Sequence, residues 1–405
     1  MSQFFNTAEA VRALEERVNE IPEIQRTLIE NDERLKRPDR AAHQQQIAGG
    51  RVLLKVAERL PGELDGLGIF QPGTVEELNG RRVPDADRIG VGRISTGMGC
   101  PHLETDPDFL GLMLAFSTPD GRRVDFIGIN DPTAPTDTVE EFMALLKATA
   151  DAAGTKIPFG DHEPLGLGNL AASQARLLAS LGVHAGLRAP AIAAHVFGQT
   201  ARTVRSSSAY QPYWTGIVRA RNVLGKFTLK PTTDVNKLRE ISPGGMYLST
   251  DWKQRQSIGS LDFQLDWIPF LSENETPLEK LTKEWKEQHK VNVATVTFPM
   301  TDPESMEAKL MALLASEMGA NPGNWIQDDP SVRASELPAT EFTAARFFAY
   351  RNSQKEREAL PEESYKGFFE QGKISAELAE ELVRRYSQKQ AVGHAVPEVG
   401  EVTVG

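Results

Sequence analysis

The sequence predicts an α+β fold, two blocks of antiparallel strands with helices around them. Three observations lead there. Apolar residues recur at three- and four-residue steps near both ends of the chain, which is helical spacing. Two internal blocks break instead into apolar runs of five to eight residues. Turn signals such as Pro119-Asp120-Gly121 separate those runs.

Over residues 7–36, Val11, Leu14, Val18, Ile21, Ile24 and Leu28 mark helical steps among Glu and Arg. Pro22 is expected to open a second helix within this run, because proline lacks the N–H that a helix interior needs. Between His43 and Asp131 the strand candidates are 51–56, 111–116 and 123–127. Residues 138–153 return to helical spacing, with Thr138 as N-cap and Glu141 completing a capping box. An Ala- and Leu-rich stretch, 168–199, is predicted helical with breaks near Gly182 and Pro190. A second strand block follows at 213–218, 225–230, 261–265 and 291–296, then helices at 304–318, 341–357 and 375–391.

Composition narrows the function. The 405 residues are 40% hydrophobic and 25% charged, ample for a large core. With 33 glycines and 25 prolines the chain is neither collagenous nor low-complexity. A net charge of −11 argues against nucleic-acid partners, which select a basic face. No membrane span and no secretory leader are expected, and the lone Cys100 fits a reducing cytoplasm. Gly90-Val91-Gly92 lacks the third glycine of a dinucleotide loop. The sequence has no phosphate loop, no His-Glu-x-x-His pair and no Gly-x-Ser-x-Gly elbow. His102, His162, His184, His195, His289 and His394 show no metal-ligand spacing.

Three separated segments carry chemistry. They are Arg40-Ala41-Ala42-His43, then Arg93-Ile94-Ser95-Thr96 through Asp125 to Pro132, then Arg346-Phe347-Phe348-Ala349-Tyr350 followed by Arg357. In order and local spacing they resemble the haem catalase superfamily, over roughly residues 35–360. Asp106 to Phe116, Tyr213-Trp214 and Lys226 to Lys230 resemble further barrel strands of that family.

The resemblance implies an antiparallel β-barrel surrounded by helices, with haem b (iron protoporphyrin IX) between the barrel and a C-terminal helix. It divides the chain into an N-terminal helical arm (1–37), a catalase-like domain (38–360) and a C-terminal helix and tail (361–405). Tyr350 would be the axial iron ligand, with Arg346 one helical turn away favouring its phenolate. His43 would move the peroxide proton and Asn130 would orient the peroxide, while Ser95 would hydrogen-bond the imidazole. Arg40, Arg93 and Arg357 would pair with the haem propionates, and Phe142 would cover the distal face.

The resemblance also has departures. Gln44-Gln45-Gln46 replaces small residues after the histidine, Gly97 a channel-narrowing valine, and Ala134 a phenylalanine. Asp131 replaces a threonine and Gln354 a histidine. Lost bulk predicts a wider pocket, and therefore an organic or fatty-acid hydroperoxide handled by peroxidase or isomerase chemistry. Dismutation of hydrogen peroxide is the alternative, and a non-catalytic haem-binding scaffold a second. Family likeness further implies a homo-oligomer.

Overall fold

The computed structural model describes residues 8–32, 38–73, 87–97, 99, 104, 108–153, 167–200, 207–232, 247–327 and 340–391. Cys100, His102, His162 and His394 lie outside them.

The strands are β1 (Gln46–Val56), β2 (Arg88–Thr96), β3 (Leu110–Ser117), β4 (Arg123–Ile129), β5 (Tyr213–Thr215), β6 (Val218–Ala220), β7 (Val223–Pro231), β8 (Leu261–Pro269) and β9 (Val291–Phe298). They form one sheet in the order β5-β4-β3-β2-β1-β9-β8-β7-β6, and β5 also pairs with β7. That extra pairing closes eight strands into an antiparallel barrel, which leaves no open edge along it. β6 pairs beside it with β7 alone. The predicted strand over 213–218 is thus two short strands, parted at Gly216-Ile217. The turn at Gly121 sits between β3 and β4 with φ +80°, which glycine adopts without strain.

Strand alternation puts two sets of residues on opposite faces of the barrel wall. Leu110, Leu112, Leu114 and Phe116 of β3 point to the interior core, whereas Met113 and Ala115 join an outer one. The interior is solid. Around Phe227 the rings of Trp267, Phe126 and Trp325 sit 4.8, 5.1 and 5.1 Å away, centroid to centroid.

The helices are α1 (Ala8–Arg17), α2 (Ile21–Asn31), α3 (Val139–Ala152), α4 (Leu167–Ala185), α5 (Ala189–Thr200), α6 (Tyr247–Ile258), α7 (Met306–Glu317), α8 (Asn324–Gln327), α9 (Glu341–Glu356), α10 (Glu362–Gln371) and α11 (Ala376–Ala391). Pro22 opens α2 as expected. Thr138 caps α3 by accepting from the Glu141 N–H at 3.2 Å, while Glu141 reaches back to the Asp137 N–H at 3.1 Å. The predicted break at Gly182 is absent, because α4 runs through it. The chain bends instead at Gly186, where φ is +55°. By length and composition alone, the run Ala175–Thr200 is apolar enough to cross a membrane. Its Leu181, Ile192, Ala193 and Val196 nevertheless pack against Leu145 and Ala148 of α3.

Two helical layers flank the outer barrel wall. α7, α10 and α11 cover Val91, Met113 and Ile127. α1, α2, α3 and α9 form a separate apolar cluster through Leu14, Ile24, Met143 and Phe348. Thr343 of α9 ties that layer down, donating to the Ile217 carbonyl at 3.1 Å.

Candidate active site

A cavity of about 300 Å³ lies against the outer wall of β2, β3 and β4, with α9 among its walls. His43, Ser95, Arg40, Arg93, Phe142, Arg346, Tyr350 and Arg357 all line it. Asn130 does not. Its Oδ1 accepts from the Leu110 N–H at 2.7 Å, which ties the carboxamide to the start of β3. Its neighbours Ile129 and Asp131 line the cavity instead.

Helical and strand periods explain the convergence. Arg346, Tyr350 and Gln354 fall on one stripe of α9 at i, i+4 and i+8, and Arg357, its C-cap, continues the stripe at i+11. On β2, Arg93 and Ser95 alternate with Ile94, which belongs to the barrel interior. Residues far apart in sequence thus meet where one helix crosses one sheet face.

His43 is half-buried, on a left-handed backbone with φ +60°. Such a conformation is uncommon for a side-chain-bearing residue and persists only where neighbours fix it. Here the His43 N–H donates to the Gly97 carbonyl at 2.9 Å, and its own carbonyl accepts from Arg93 Nη2 at 2.7 Å. Nδ1 lies 3.1 Å from the Thr96 carbonyl oxygen. The hydrogen bond expected from Ser95 is therefore supplied by the next residue's backbone. Burial is the main cause that lowers the imidazole pKa to about 4; Arg93 adds to this, while the Asp108 carboxylate opposes it.

Behind the ring stands Gly111. A Cβ there would lie 2.3 Å from His43 Nδ1, so only glycine leaves room for the imidazole.

The three propionate candidates form a cationic group held chiefly by neutral acceptors. Arg93 donates to the carbonyls of His43 and Gln44 and, through Nε, to Gln46 Oε1 at 3.2 Å. Arg357 donates to the Met318 carbonyl at 2.9 Å, and Arg40 to the Ser316 carbonyl at 2.7 Å. Asp39 reaches Arg40 at 3.3 Å. Burial and the Arg40 charge bring Arg357 down to about 9, and the same two causes hold Arg93 well below its ordinary value. Such a cluster favours a bound anion.

Arg346 lies with its Cζ 5.7 Å from the Tyr350 ring centroid. Its Nη2 makes a long contact, 3.4 Å, to the Ile127 carbonyl. Gly216 leaves space for this guanidinium, since a Cβ there would stand 2.1 Å from Nη1. Phe142 stacks edge-on against Phe342, centroids 5.5 Å apart. Among the described residues no group of three or more His, Cys, Asp or Glu side chains is placed to hold a metal ion.

No family model matches the chain, and no curated protein matches it by sequence. Solved structures do. A fungal catalase superposes on 80% of this chain and 60% of its own, with 14% identity and a TM-score of 0.51. Catalase A from Saccharomyces cerevisiae covers 84% of this chain and 65% of its own, with 13% identity and a TM-score of 0.52. The fold is that of the catalases. The chain spans about three-fifths of the length of these neighbours, 60% and 65%.

Within this catalase fold, several residues at the cavity were not singled out by sequence. The Thr96 carbonyl and Gly111 set the imidazole, and Asp108 faces it electrostatically. The expected widening at Gly97 does not occur. A Cβ there would meet Asp108 Oδ1 at 2.7 Å and Phe109 Cβ at 2.9 Å, so those side chains already fill the place of the missing one. Ala134 does line the cavity, and Gln354 lines it while donating to the Ala320 carbonyl at 2.6 Å.

Proposed function

We propose that this cavity binds haem b, with Tyr350 as axial ligand, and that the protein is a peroxide-metabolising haem enzyme. The observation that carries the proposal is the lining itself. One apolar-walled space presents a phenol, an imidazole and three guanidinium groups hydrogen-bonded mostly to carbonyl oxygens. That donor set fits an iron porphyrin that carries two carboxylates. Arg40, Arg93 and Arg357 would hold the propionates, and Tyr350 would hold the iron. When bound, the haem supplies a ferric centre whose phenolate ligand favours heterolytic O–O cleavage.

The chain's own contribution is proton handling. A carbonyl oxygen can only accept, so the Thr96 contact requires the proton on Nδ1 and leaves the Nε2 lone pair available. With a pKa near 4, His43 is neutral at physiological pH. Nε2 takes the hydroperoxide proton and returns it to the departing oxygen. Ser95 lines the same wall, and Asn130, between the lining residues Ile129 and Asp131, has its oxygen fixed by the Leu110 N–H, which leaves the amide N–H as the group that would orient the peroxide.

The favoured substrate is an organic or fatty-acid hydroperoxide, because Leu145, Leu146, Phe142, Ile129 and Ala134 make the space apolar and keep one wall small. The second reading, dismutation of hydrogen peroxide, is favoured by Asp108 and Phe109 occupying the position beside Gly97. Purified holoprotein decides between them. A ferric phenolate-type Soret spectrum is expected, with faster consumption of linoleic acid hydroperoxide or cumene hydroperoxide than oxygen release from hydrogen peroxide. Absence of that spectrum after haem reconstitution overturns the cofactor, and dominant oxygen release overturns the substrate.

A further inference from the structure

Lys226 lies on β7 and lines the same cavity, with a relative exposure of 4%. Among the described residues no hydrogen-bond acceptor or carboxylate lies within bonding distance of its Nζ. What supports the ammonium is the face of Trp285, 4.8 Å to the centroid. A buried cation without an acceptor is unfavourable. Burial and then the nearby Arg346 charge hold its pKa down to about 8, which still leaves it mostly charged at neutral pH. Asp131 offsets this through space, but its Oδ1 is engaged by Thr133 and by Gln199 Nε2 at 2.9 Å.

We propose that Lys226 is a carboxylate-binding subsite in the cavity wall, and that the substrate is a long-chain acid whose carboxylate pairs with this ammonium. The inference rests on the hydroperoxide reading above for the reacting end of that molecule. The subsite is distinct from the propionate cluster in its electrostatic surroundings. Arg93 feels Arg40, Asp39 and Arg357, whereas Lys226 feels Arg346 and Asp131. The apolar cluster around Trp285 contributes Ile217, Leu281, Ala134 and Phe342 to the lining, which suits a hydrocarbon chain beside the charged head. One carboxylate matches one ammonium in charge. A neutral ester or alcohol would leave the ammonium uncompensated.

The test is calorimetric binding of oleic acid and of methyl oleate to the holoprotein, beside the Lys226→Met and Lys226→Arg variants. Haem content and circular dichroism are followed in parallel. Wild type is expected to bind the acid about 10- to 100-fold more tightly than the ester, the scale of one buried charge-assisted hydrogen bond. Lys226→Met is expected to abolish that preference with haem content retained, and Lys226→Arg to restore most of it. Equal binding of acid and ester by wild type overturns the subsite, as does a preference that survives in Lys226→Met. A Lys226→Met protein that loses haem while keeping acid preference assigns the residue to the cofactor and overturns it too. Oleic acid carries no peroxide, so acid preference is read independently of turnover. Acid preference without hydroperoxide turnover sinks the enzymatic reading and leaves the subsite standing.

Discussion

Nδ1 of His43 and the carbonyl oxygen of Thr96 are 3.1 Å apart, and this contact decides which ring nitrogen carries the proton. Because the acceptor is backbone, no side-chain substitution at position 96 removes it. The imidazole is committed to one tautomer by the path of the chain.

Burial of that neutral ring makes stability depend on pH. The folded-state pKa is about 4, against an ordinary 6.5. Below 6.5 the unfolded chain takes up a proton that the folded one refuses, so this contribution is full above that pH and lost as pH falls towards 4. The loss amounts to about 3 kcal/mol. Urea unfolding of haem-free protein at pH 7 and 4.5 measures it, with His43→Gln as reference. A wild-type decline no steeper than the variant's would refute the assignment.

For catalysis, His43→Ala is expected to retain haem and slow hydroperoxide cleavage by roughly 10²-fold, the usual scale for a lost acid–base group. Rates unchanged in stopped-flow measurements would remove His43 from the proton transfer.

Tyr350→Phe keeps the ring but not the oxygen. It is expected to fold, since Tyr350 is half-buried with no described hydrogen bond to lose, and to lose the phenolate-type Soret spectrum. A spectrum identical to wild type would disprove axial ligation by this residue.

Gly111 and Gly97 give a paired test. Gly111→Ala puts a methyl 2.3 Å from His43 Nδ1 and is expected to lower turnover by about 10²-fold through misplacement of the imidazole. Gly97→Val instead pushes against Asp108 and Phe109 and is expected to destabilise by about 1–3 kcal/mol without favouring hydrogen peroxide. Thermal melts and the ratio of the two peroxide activities separate these outcomes.

Asp125 anchors the wall behind the site. It accepts from Arg123 at 2.9 Å, from the Asn321 N–H at 2.8 Å and from Asn324 at 2.7 Å, on the outer face of β4. Asp125→Ala leaves the buried Arg123 charge without its partner and is expected to cost about 3–5 kcal/mol in urea unfolding. A cost under about 1 kcal/mol, the level of an exposed pair, would show that the cation is compensated elsewhere.

Much of this arrangement was legible in advance because its signals are side chains with regular spacing. Arg346, Tyr350 and Arg357 announce a helical stripe, and Pro22 announces a helix start. α6 left no such mark: its buried Tyr247, Leu248, Asp251 and Trp252 occupy its first half, and the rest is polar but for the exposed Ile258. α10 is bounded by Pro361 and Gly372, but its aromatic residues are too few to establish a period. The Thr96 carbonyl has no letter of its own in a sequence, and Gly111 acts through an absent atom. Lys226 looks like any lysine on a strand until Trp285, 59 positions later, is folded over it. The bond by which Asn130 Oδ1 accepts from the Leu110 N–H is equally invisible in sequence, because its donor is backbone.

β2 and β3 each serve two masters: odd-numbered positions such as Arg93, Ser95 and Gly111 face the cavity, while even-numbered Ile94, Leu112 and Leu114 fill the barrel. A slip of one residue during assembly would drive a guanidinium into oil and at the same moment dismantle the pocket. Misregistered chains are thereby penalised before they can display a half-built cavity, so quality control over the site is written into the pleat.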